Sequence, residues 1–110
     1  MAAKPIADTD RARNINVVVD GRMDLDEMEQ QLEAAGTSLG LVLTHITTLS
    51  KKKYPGNRHW HFKEAPKTRG TLDITYWPDG PLLWITVRNL EPEWVHSAGD
   101  ALAEAMNARV

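Results

Sequence analysis

The chain has 110 residues, of which 42% are hydrophobic and 25% charged, and it contains no cysteine. This length fits one domain, and the composition excludes a disordered or fibrous protein. The lack of cysteine excludes disulfides, thiolate metal ligands and a thiol nucleophile, and it fits a reducing compartment. The apolar runs are too short for a membrane span, and the first 13 residues lack the apolar core of a signal peptide. We therefore expect a cytoplasmic protein with no membrane partner.

The charge is unevenly distributed along the chain. Thirteen basic and 15 acidic side chains give a net charge of -2. Residues 51–69 alone carry seven basic side chains and one acidic, a local charge of +6, so the rest of the chain carries -8. The seven basic residues are Lys51, Lys52, Lys53, Arg58, Lys63, Lys67 and Arg69. Tyr54, Trp60 and Phe62 lie among them, and a mixture of basic and aromatic residues is typical of surfaces that bind nucleic acid.

The N-terminal third predicts a tail, an edge strand and a helix. Residues 1–13 lack periodicity and predict a flexible tail, so residues 14–110 form the single domain. The β-branched run 14–19 ends at an Asp-Gly turn pair and predicts an edge strand. Asp24 and Glu27 resemble a capping box, apolar residues follow at helical spacing, and Gly36 is a typical helix stop. This pattern predicts a helix over residues 25–35.

Residues 39–49 are ambiguous from sequence. Their β-branched residues favour a strand, although the apolar spacing also tolerates a helix. The following Tyr54-Pro55-Gly56-Asn57 is typical of a type II turn, in which proline sets a negative φ and glycine accepts a positive one. Such a turn would fold residues 39–49 back against the next strand. We therefore predict a strand here, with the helix as the alternative.

Three further strands and a closing helix follow. Apolar and polar residues alternate over 58–63, 70–77 and 81–88, which predicts half-buried strands joined in an antiparallel meander. Glu91-Pro92-Glu93 is a typical start for the last helix. The apolar side of the strands, expected under the helices, comprises Trp60, Phe62, Leu72, Ile74, Tyr76, Leu83, Ile85 and Val87. The sequence thus predicts a two-layer α+β domain, with a four- to five-stranded antiparallel meander sheet and two helices on one face.

The other side of the sheet, called here the open face, is expected to face outward. Its predicted members are His59, His61, Thr71, Asp73, Thr75, Trp77, Trp84, Thr86 and Arg88. Two tryptophans on an uncovered face usually indicate binding or association. The alternatives are a homodimer interface, a cover by the N-terminal tail, or a surface for a ligand or nucleic acid.

His59 and His61 are candidates for chemistry. Residues two apart on a strand point the same way, so both imidazoles could reach one metal ion, with Asp73 or His45 as a third ligand. The same pair could act in acid–base catalysis, with Asp73 orienting one imidazole. The chain has no His-Glu-x-x-His, no phosphate-binding glycine loop and no hydrolase elbow. The favoured interpretation is therefore ordinary hydrogen-bonded histidines, with no metal and no cofactor.

The first functional hypothesis is a small non-enzymatic binding domain whose partner is nucleic acid or, second, protein. Its predicted binding residues are Lys51, Lys52, Lys53, Arg58, His59, His61, Lys63, Arg69, Trp77, Trp84 and Arg88. The loop over residues 64–70 lies at the opposite strand end from the Pro-Gly turn, which argues against one continuous basic patch. The first alternative is a small hydrolase or nuclease with His59, His61 and Asp73 as candidate catalytic residues. The second is a homodimer that buries the tryptophans.

Two resemblances add to these expectations. The segments Tyr54-Pro55-Gly56-Asn57-Arg58-His59-Trp60-His61-Phe62-Lys63 and Gly70-Thr71-Leu72-Asp73-Ile74-Thr75-Tyr76-Trp77-Pro78 resemble the core of small bacterial proteins of unknown activity. That resemblance implies a bacterial origin and no mechanism. The order of helix, sheet and closing helix is also similar to the HicA-type mRNA interferase toxins, which use a histidine after a glycine. The correspondence would assign that role to Gly56 and His59, which two residues separate here.

Overall fold

Five strands and two helices form the part of the chain that a computed structural model describes, residues 12–19 and 21–107. In chain order the elements are β1 (Ala12–Val17), α1 (Leu25–Ser38), β2 (Val42–Thr47), β3 (Arg58–Lys63), β4 (Leu72–Trp77), β5 (Leu82–Arg88) and α2 (Glu93–Asn107). The sheet has the order β1-β5-β4-β3-β2, and each neighbouring pair is antiparallel. This arrangement confirms the predicted α+β fold, with β2 to β5 as the meander and β1 at its edge.

The core lies between the sheet and the two helices. All eight strand residues predicted to face the helices are buried. From the helices, Met28 and Leu32 of α1 and Val95, Leu102 and Met106 of α2 pack into the same core. Because side chains alternate across a strand, burying this set turns the histidines and Asp73 to the open face. The prediction that this face is exposed is wrong for His59, Asp73 and Thr75, which are buried among their neighbours on the sheet.

Helix α1 starts as predicted but ends later. The Asp24 carboxylate accepts a hydrogen bond from the Glu27 N–H at 2.8 Å. Gly36 does not end the helix; a Cβ there would lie 2.9 Å from the Phe62 ring, so glycine permits close packing of helix on sheet. The helix ends at Ser38 and is capped beyond it by Gly40, whose φ is 78°; the Gly40 N–H donates to the Thr37 carbonyl, and the Leu41 N–H donates to that of Gly36. These two bonds form a Schellman motif.

The ambiguous segment is a strand. Residues 42–47 form β2, so the helical alternative for 39–49 is wrong. The loop after β2 closes in the predicted turn: the Asn57 N–H donates to the Tyr54 carbonyl at 3.1 Å, and Gly56 has φ 82°. The buried Asn57 side chain also donates to the Leu49 carbonyl and accepts from its N–H. The loop is therefore held in one conformation, which determines what Tyr54 can cover.

The N-terminal boundary differs slightly from the prediction. Ala12 and Arg13, predicted as part of the tail, belong to β1 because they pair with Arg88 and Val87 of β5. The rest of the predicted tail, residues 1–11, lies outside the described residues. Among the residues that the structure describes, neither helix is long and apolar enough to cross a membrane.

Candidate functional site

The sheet register brings His59, His61 and Asp73 together on the open face. His61 of β3 lies opposite Asp73 of β4, and His59 lies opposite Thr75. On the next strand, Trp84 lies opposite Thr75. Opposed side chains on one face of a sheet stand close together, so the three candidate residues form one cluster. The sequence predicted that these three residues share a face, and the strand register shows that they are neighbours on it.

The distances within this cluster are too long for hydrogen bonds. His61 Nε2 lies 3.7 Å from Asp73 Oδ1, and His59 Nε2 lies 4.0 Å from Asp73 Oδ2. The two imidazole rings stand edge to face with centroids 5.0 Å apart. Since a hydrogen bond needs a separation of roughly 3.2 Å or less, Asp73 orients neither imidazole directly. The acid–base hypothesis, in which Asp73 orients one imidazole, assumed a direct hydrogen bond of this kind.

His59 is held by Thr75 instead. Its Nδ1 lies 2.7 Å from the Thr75 hydroxyl oxygen, and the side chain is only 6% exposed. Burial lowers the pKa of His59, because it disfavours the charged imidazolium, and the nearby Asp73 charge opposes this shift only in part. The imidazole is therefore neutral near neutral pH, and its second nitrogen, Nε2, faces Asp73.

The two oxygens of the buried Asp73 carboxylate differ in their contacts. The residue is 2% exposed, and its Oδ2 lies 2.7 Å from Nη1 of Arg88. The same Arg88 nitrogen lies 3.9 Å from the Glu91 carboxylate. The other oxygen, Oδ1, is buried and accepts no hydrogen bond from any described residue. Buried polar atoms nearly always have a partner, so this oxygen points to a ligand.

The cluster is open toward the sheet edge formed by β2. The His61 side chain is 32% exposed, and His45 of β2, opposite it in the register, is exposed. The centroids of these two rings are 5.2 Å apart. His45 therefore stands beside the cluster, as the sequence suggested when it offered this residue as a third ligand. A ligand can reach the cluster from solvent on this side.

The two open-face tryptophans are partly covered by the chain's own β2–β3 loop. The Tyr54 ring lies with its centroid 5.4 Å from that of Trp77 and 5.2 Å from that of Trp84. The Trp77 indole donates to the Pro55 carbonyl at 3.1 Å. We call Tyr54, Trp77 and Trp84 the aromatic cluster. From the sequence, only the N-terminal tail and a second copy were expected as covers; the signal for this cover is Tyr54-Pro55, in the turn just before β3.

Arg58 is not on the open face. It alternates with His59 and shares a face with Trp60, so its guanidinium reaches α1, where Nη1 lies 3.0 Å from Asp26 and 3.0 Å from Glu29. Burial opposes its charge, but the two carboxylates outweigh that effect and raise the pKa of Arg58. The position and the charge of Arg58 therefore serve the helix–sheet contact, and its role in contacting phosphate stays a prediction.

The remaining basic residues do not form one surface. The Lys63 ammonium donates to the carbonyls of Thr68 and Gly70, at 3.0 and 2.8 Å, and so closes its own loop. Lys67 and Arg69 are exposed on that loop, beyond the end of β3. Lys51, Lys52 and Lys53 are exposed in the loop before β3, beside Tyr54. The +6 charge of the segment is thus divided between the two ends of the sheet.

A cleft of about 590 Å³ lies away from the histidines, at the start of α1. Its lining includes Arg22 and Arg58, but Arg22 pairs with Asp79 at 3.0 Å and Arg58 with the acidic residues of α1. The described part of this lining has no buried polar atom without a partner. The histidine cluster is therefore the stronger candidate, although it is the shallower feature.

The roles of two members of the site, Thr75 and Glu91, were not predicted from sequence. Thr75 was placed on the open face without a role, and Glu91 was assigned only to the start of α2. The hydrogen bond of Thr75 follows from its register position opposite His59, which alternation alone does not reveal.

Comparison with models of known protein families, with curated proteins and with solved structures found no match to this chain.

Proposed function

We propose that the protein binds a divalent transition-metal ion through His59, His61 and Asp73. The observation that carries this proposal is the Oδ1 atom of Asp73, a buried carboxylate oxygen that lacks a hydrogen-bond donor among the described residues and lies 3.7 Å from His61 Nε2. One ligand atom from each of the three residues lies within 4.8 Å of the other two. The proposal replaces the sequence-based expectation that the histidines are ordinary and the site holds no metal.

The spacing of the atoms favours a shared ion over direct bonding. Two ligand atoms that each lie about 2.1 Å from an ion in tetrahedral geometry are roughly 3.4 Å apart. The separation of 3.7 Å between His61 Nε2 and Asp73 Oδ1 exceeds this by about 0.3 Å, and a ligand atom of His59 lies within 4.8 Å of those of the other two residues. Side-chain rotations would therefore bring the three ligands onto one ion without moving the strands.

The ligand atoms indicate the class of ion. Two imidazole nitrogens and one carboxylate oxygen suit zinc, iron(II), cobalt and nickel, whereas calcium and magnesium prefer oxygen ligands alone. Groups behind the ligands support this assignment. Thr75 holds the far nitrogen of His59, and Arg88 holds the far oxygen of Asp73. Metal ligands are commonly oriented in this way by a second hydrogen bond.

The charges around the cluster favour a cation over a phosphate. Asp73 and Glu91 bring two negative charges close to the single positive charge of Arg88. Arg58 and Lys63, predicted to contact phosphate, are engaged within the fold. Nucleic-acid binding through one continuous basic surface is therefore not the function that we propose, and homodimer formation stays a prediction.

Metal titration tests the proposal directly. Protein treated with a chelator and then dialysed should bind one Zn²⁺ or Co²⁺ ion per chain by isothermal titration calorimetry, and bound Co²⁺ should give visible absorption bands. His61→Ala and Asp73→Asn should each weaken binding by about 100-fold or more, because the first removes a ligand and the second replaces a carboxylate by a neutral amide, a weaker ligand. His96→Ala, on α2 and outside the cluster, is the matched control. Binding of neither ion, or unchanged binding by both variants, would refute the proposal.

The role of His45 is measured in the same titration. Because its ring lies beside that of His61, His45→Ala should reduce affinity if the imidazole supplies a fourth ligand. It should leave affinity unchanged if water takes that position. Both results are compatible with the three-residue site and distinguish a closed coordination sphere from an open one.

A further inference from the structure

Three protein ligands leave part of the ion's coordination sphere for other molecules. Structural zinc sites are usually closed by four protein ligands, whereas catalytic sites keep a position for water or substrate. Here the ion would lie beside His61, which is 32% exposed, and the exposed His45. Water can therefore reach it. A metal ion makes its bound water acidic enough to supply hydroxide near neutral pH.

Binding of the ion would change the sign of the local charge. Without it, Asp73 and Glu91 outweigh Arg88, and an anion would be repelled. A divalent ion makes the cluster positive overall. Arg88 contacts both carboxylates through Nη1, and its side chain is 57% exposed, so part of the guanidinium faces solvent. An ion and a guanidinium side by side are the groups that stabilise a phosphoryl centre during transfer.

The aromatic cluster lies next to the metal ligands on the same face. His59, Thr75 and Trp84 form one row across β3, β4 and β5. With strands about 4.8 Å apart, the backbone of Trp84 lies roughly 10 Å from that of His59. The exposed Lys51, Lys52 and Lys53 belong to the loop that carries Tyr54. Tyr54, Trp77 and Trp84 are only half-buried, so part of each ring stays accessible. Accessible aromatic rings beside lysines are suited to stack bases and hold the phosphates of unpaired nucleotides.

We infer that the bound ion is catalytic and that the site hydrolyses a nucleotide phosphodiester whose base stacks on the aromatic cluster. This inference rests on the metal binding proposed above. Metal-bound water releases a proton to solvent, and the resulting hydroxide oxygen forms a bond to phosphorus. The bond from phosphorus to the leaving oxygen breaks, and that oxygen takes a proton from water. The products are a phosphomonoester and an alcohol, so the reaction needs no other reactant.

Two probes test the reaction. Bis(4-nitrophenyl) phosphate reports cleavage of the diester by released nitrophenolate, and a dinucleoside monophosphate or a short single-stranded oligonucleotide reports cleavage of a nucleotide. Zn²⁺- or Co²⁺-loaded protein should cleave both kinds of probe. The chelated protein and metal-treated Asp73→Asn should be slower by about 100-fold or more. A 4-nitrophenyl carboxylate ester serves as the comparison substrate.

The stacking part of the inference needs its own variants. Trp84→Leu should raise KM for the dinucleoside monophosphate by about tenfold with little change in kcat, since stacking binds the base without touching phosphorus. Tyr54→Leu, in the loop rather than in a strand, provides a second variant if the first does not fold. Val18→Ala, an exposed apolar residue beyond the end of β1 and outside the aromatic cluster, is the matched control. Calorimetry should show unchanged metal affinity in all three variants.

The outcomes separate this inference from the proposed function. If the protein binds the ion but cleaves neither diester, or cleaves only the carboxylate ester, the inference fails and the metal-binding proposal stands. If no ion binds, both fail at the titration. An unchanged KM for Trp84→Leu and Tyr54→Leu overturns the nucleotide assignment. A higher kcat/KM for the oligonucleotide than for the dinucleoside monophosphate would identify a nucleic-acid strand as the substrate, and the reverse would identify a small diester.

Discussion

At Asp73, stability and function should respond in opposite directions to one substitution. Asp73→Asn keeps the shape of the side chain but removes its charge and replaces one oxygen by an amide donor. Asp73 Oδ1 is buried, has no hydrogen-bond donor within residues 12–19 and 21–107, and lies 3.7 Å from the His61 Nε2 atom. An amide N–H at that position could donate to an imidazole nitrogen after a small rotation. The substitution should therefore relieve an unfavourable feature of the metal-free site.

The size of the effect follows from two opposing terms. Leaving a buried acceptor unsatisfied costs about 1–3 kcal/mol, which the amide would recover at least in part. The lost ion pair joins the buried Asp73 to an Arg88 side chain that is 57% exposed; because Arg88 stays in contact with solvent when the charge of Asp73 is removed, we take the loss as that of a surface pair, about 0–1 kcal/mol. The free energy of unfolding of Asp73→Asn should thus be unchanged or up to about 2 kcal/mol higher. For a domain of this size, that corresponds to a rise in Tm of up to about 10 °C.

Urea and thermal unfolding in chelator, followed by circular dichroism, measure this prediction. Asp100→Asn is the control, because Asp100 is exposed and pairs with Arg13 at 2.9 Å, so little change is expected. Added Zn²⁺ should raise the Tm of the natural sequence and of the control, but not that of Asp73→Asn. Removing one partner of a structural buried pair costs about 3–5 kcal/mol. A loss of that size in chelator would show that Asp73 is structural and would refute the reasoning.

Three further substitutions test the fold that supports the site. Glu29→Ala should lower the free energy of unfolding by about 1.5–3 kcal/mol in urea titrations, because the buried Trp60 indole loses its acceptor at 2.9 Å; stability within 0.5 kcal/mol of the parent would contradict this. Gly40→Ala should lower the free energy of unfolding by about 1 kcal/mol, because Gly40 has φ 78°, and Gly40→Asn should lower it less. Equal stability of these two variants would argue against the positive φ. Gly99→Ala places a Cβ 2.8 Å from Val87 and should lower the free energy of unfolding by about 1–3 kcal/mol. Combining it with Val87→Ala should recover part of this loss, and strictly additive effects of the two substitutions would show that the contact is not the cause.

Much of the candidate site could be predicted from sequence. His59 and His61 share a face because side chains alternate along a strand, and Asp73 joins them because the next strand alternates too. The same rule also placed Arg58 beside Trp60, on the helix side, but the density of basic residues in this segment concealed it. Alternation along each strand does not give the distances between side chains on neighbouring strands. Asp73 stands 3.7 Å from the His61 imidazole in a structure where Arg88 holds the other carboxylate oxygen and Thr75 holds His59, and these partners are not visible in the alternation of either strand.

By itself, the sequence determined the fold class, the core face of the sheet and the open face with its histidines. These are consequences of local periodicity and turn chemistry, which act over a few residues and need no knowledge of the rest of the chain. Only the tertiary structure decided that Tyr54 covers the tryptophans, that Arg58 pairs with α1, and that Asp73 Oδ1 is left without a donor among the described residues. Each of these contacts joins groups that are distant in sequence. A side chain with several potential partners pairs with those that the packed backbone brings within contact distance.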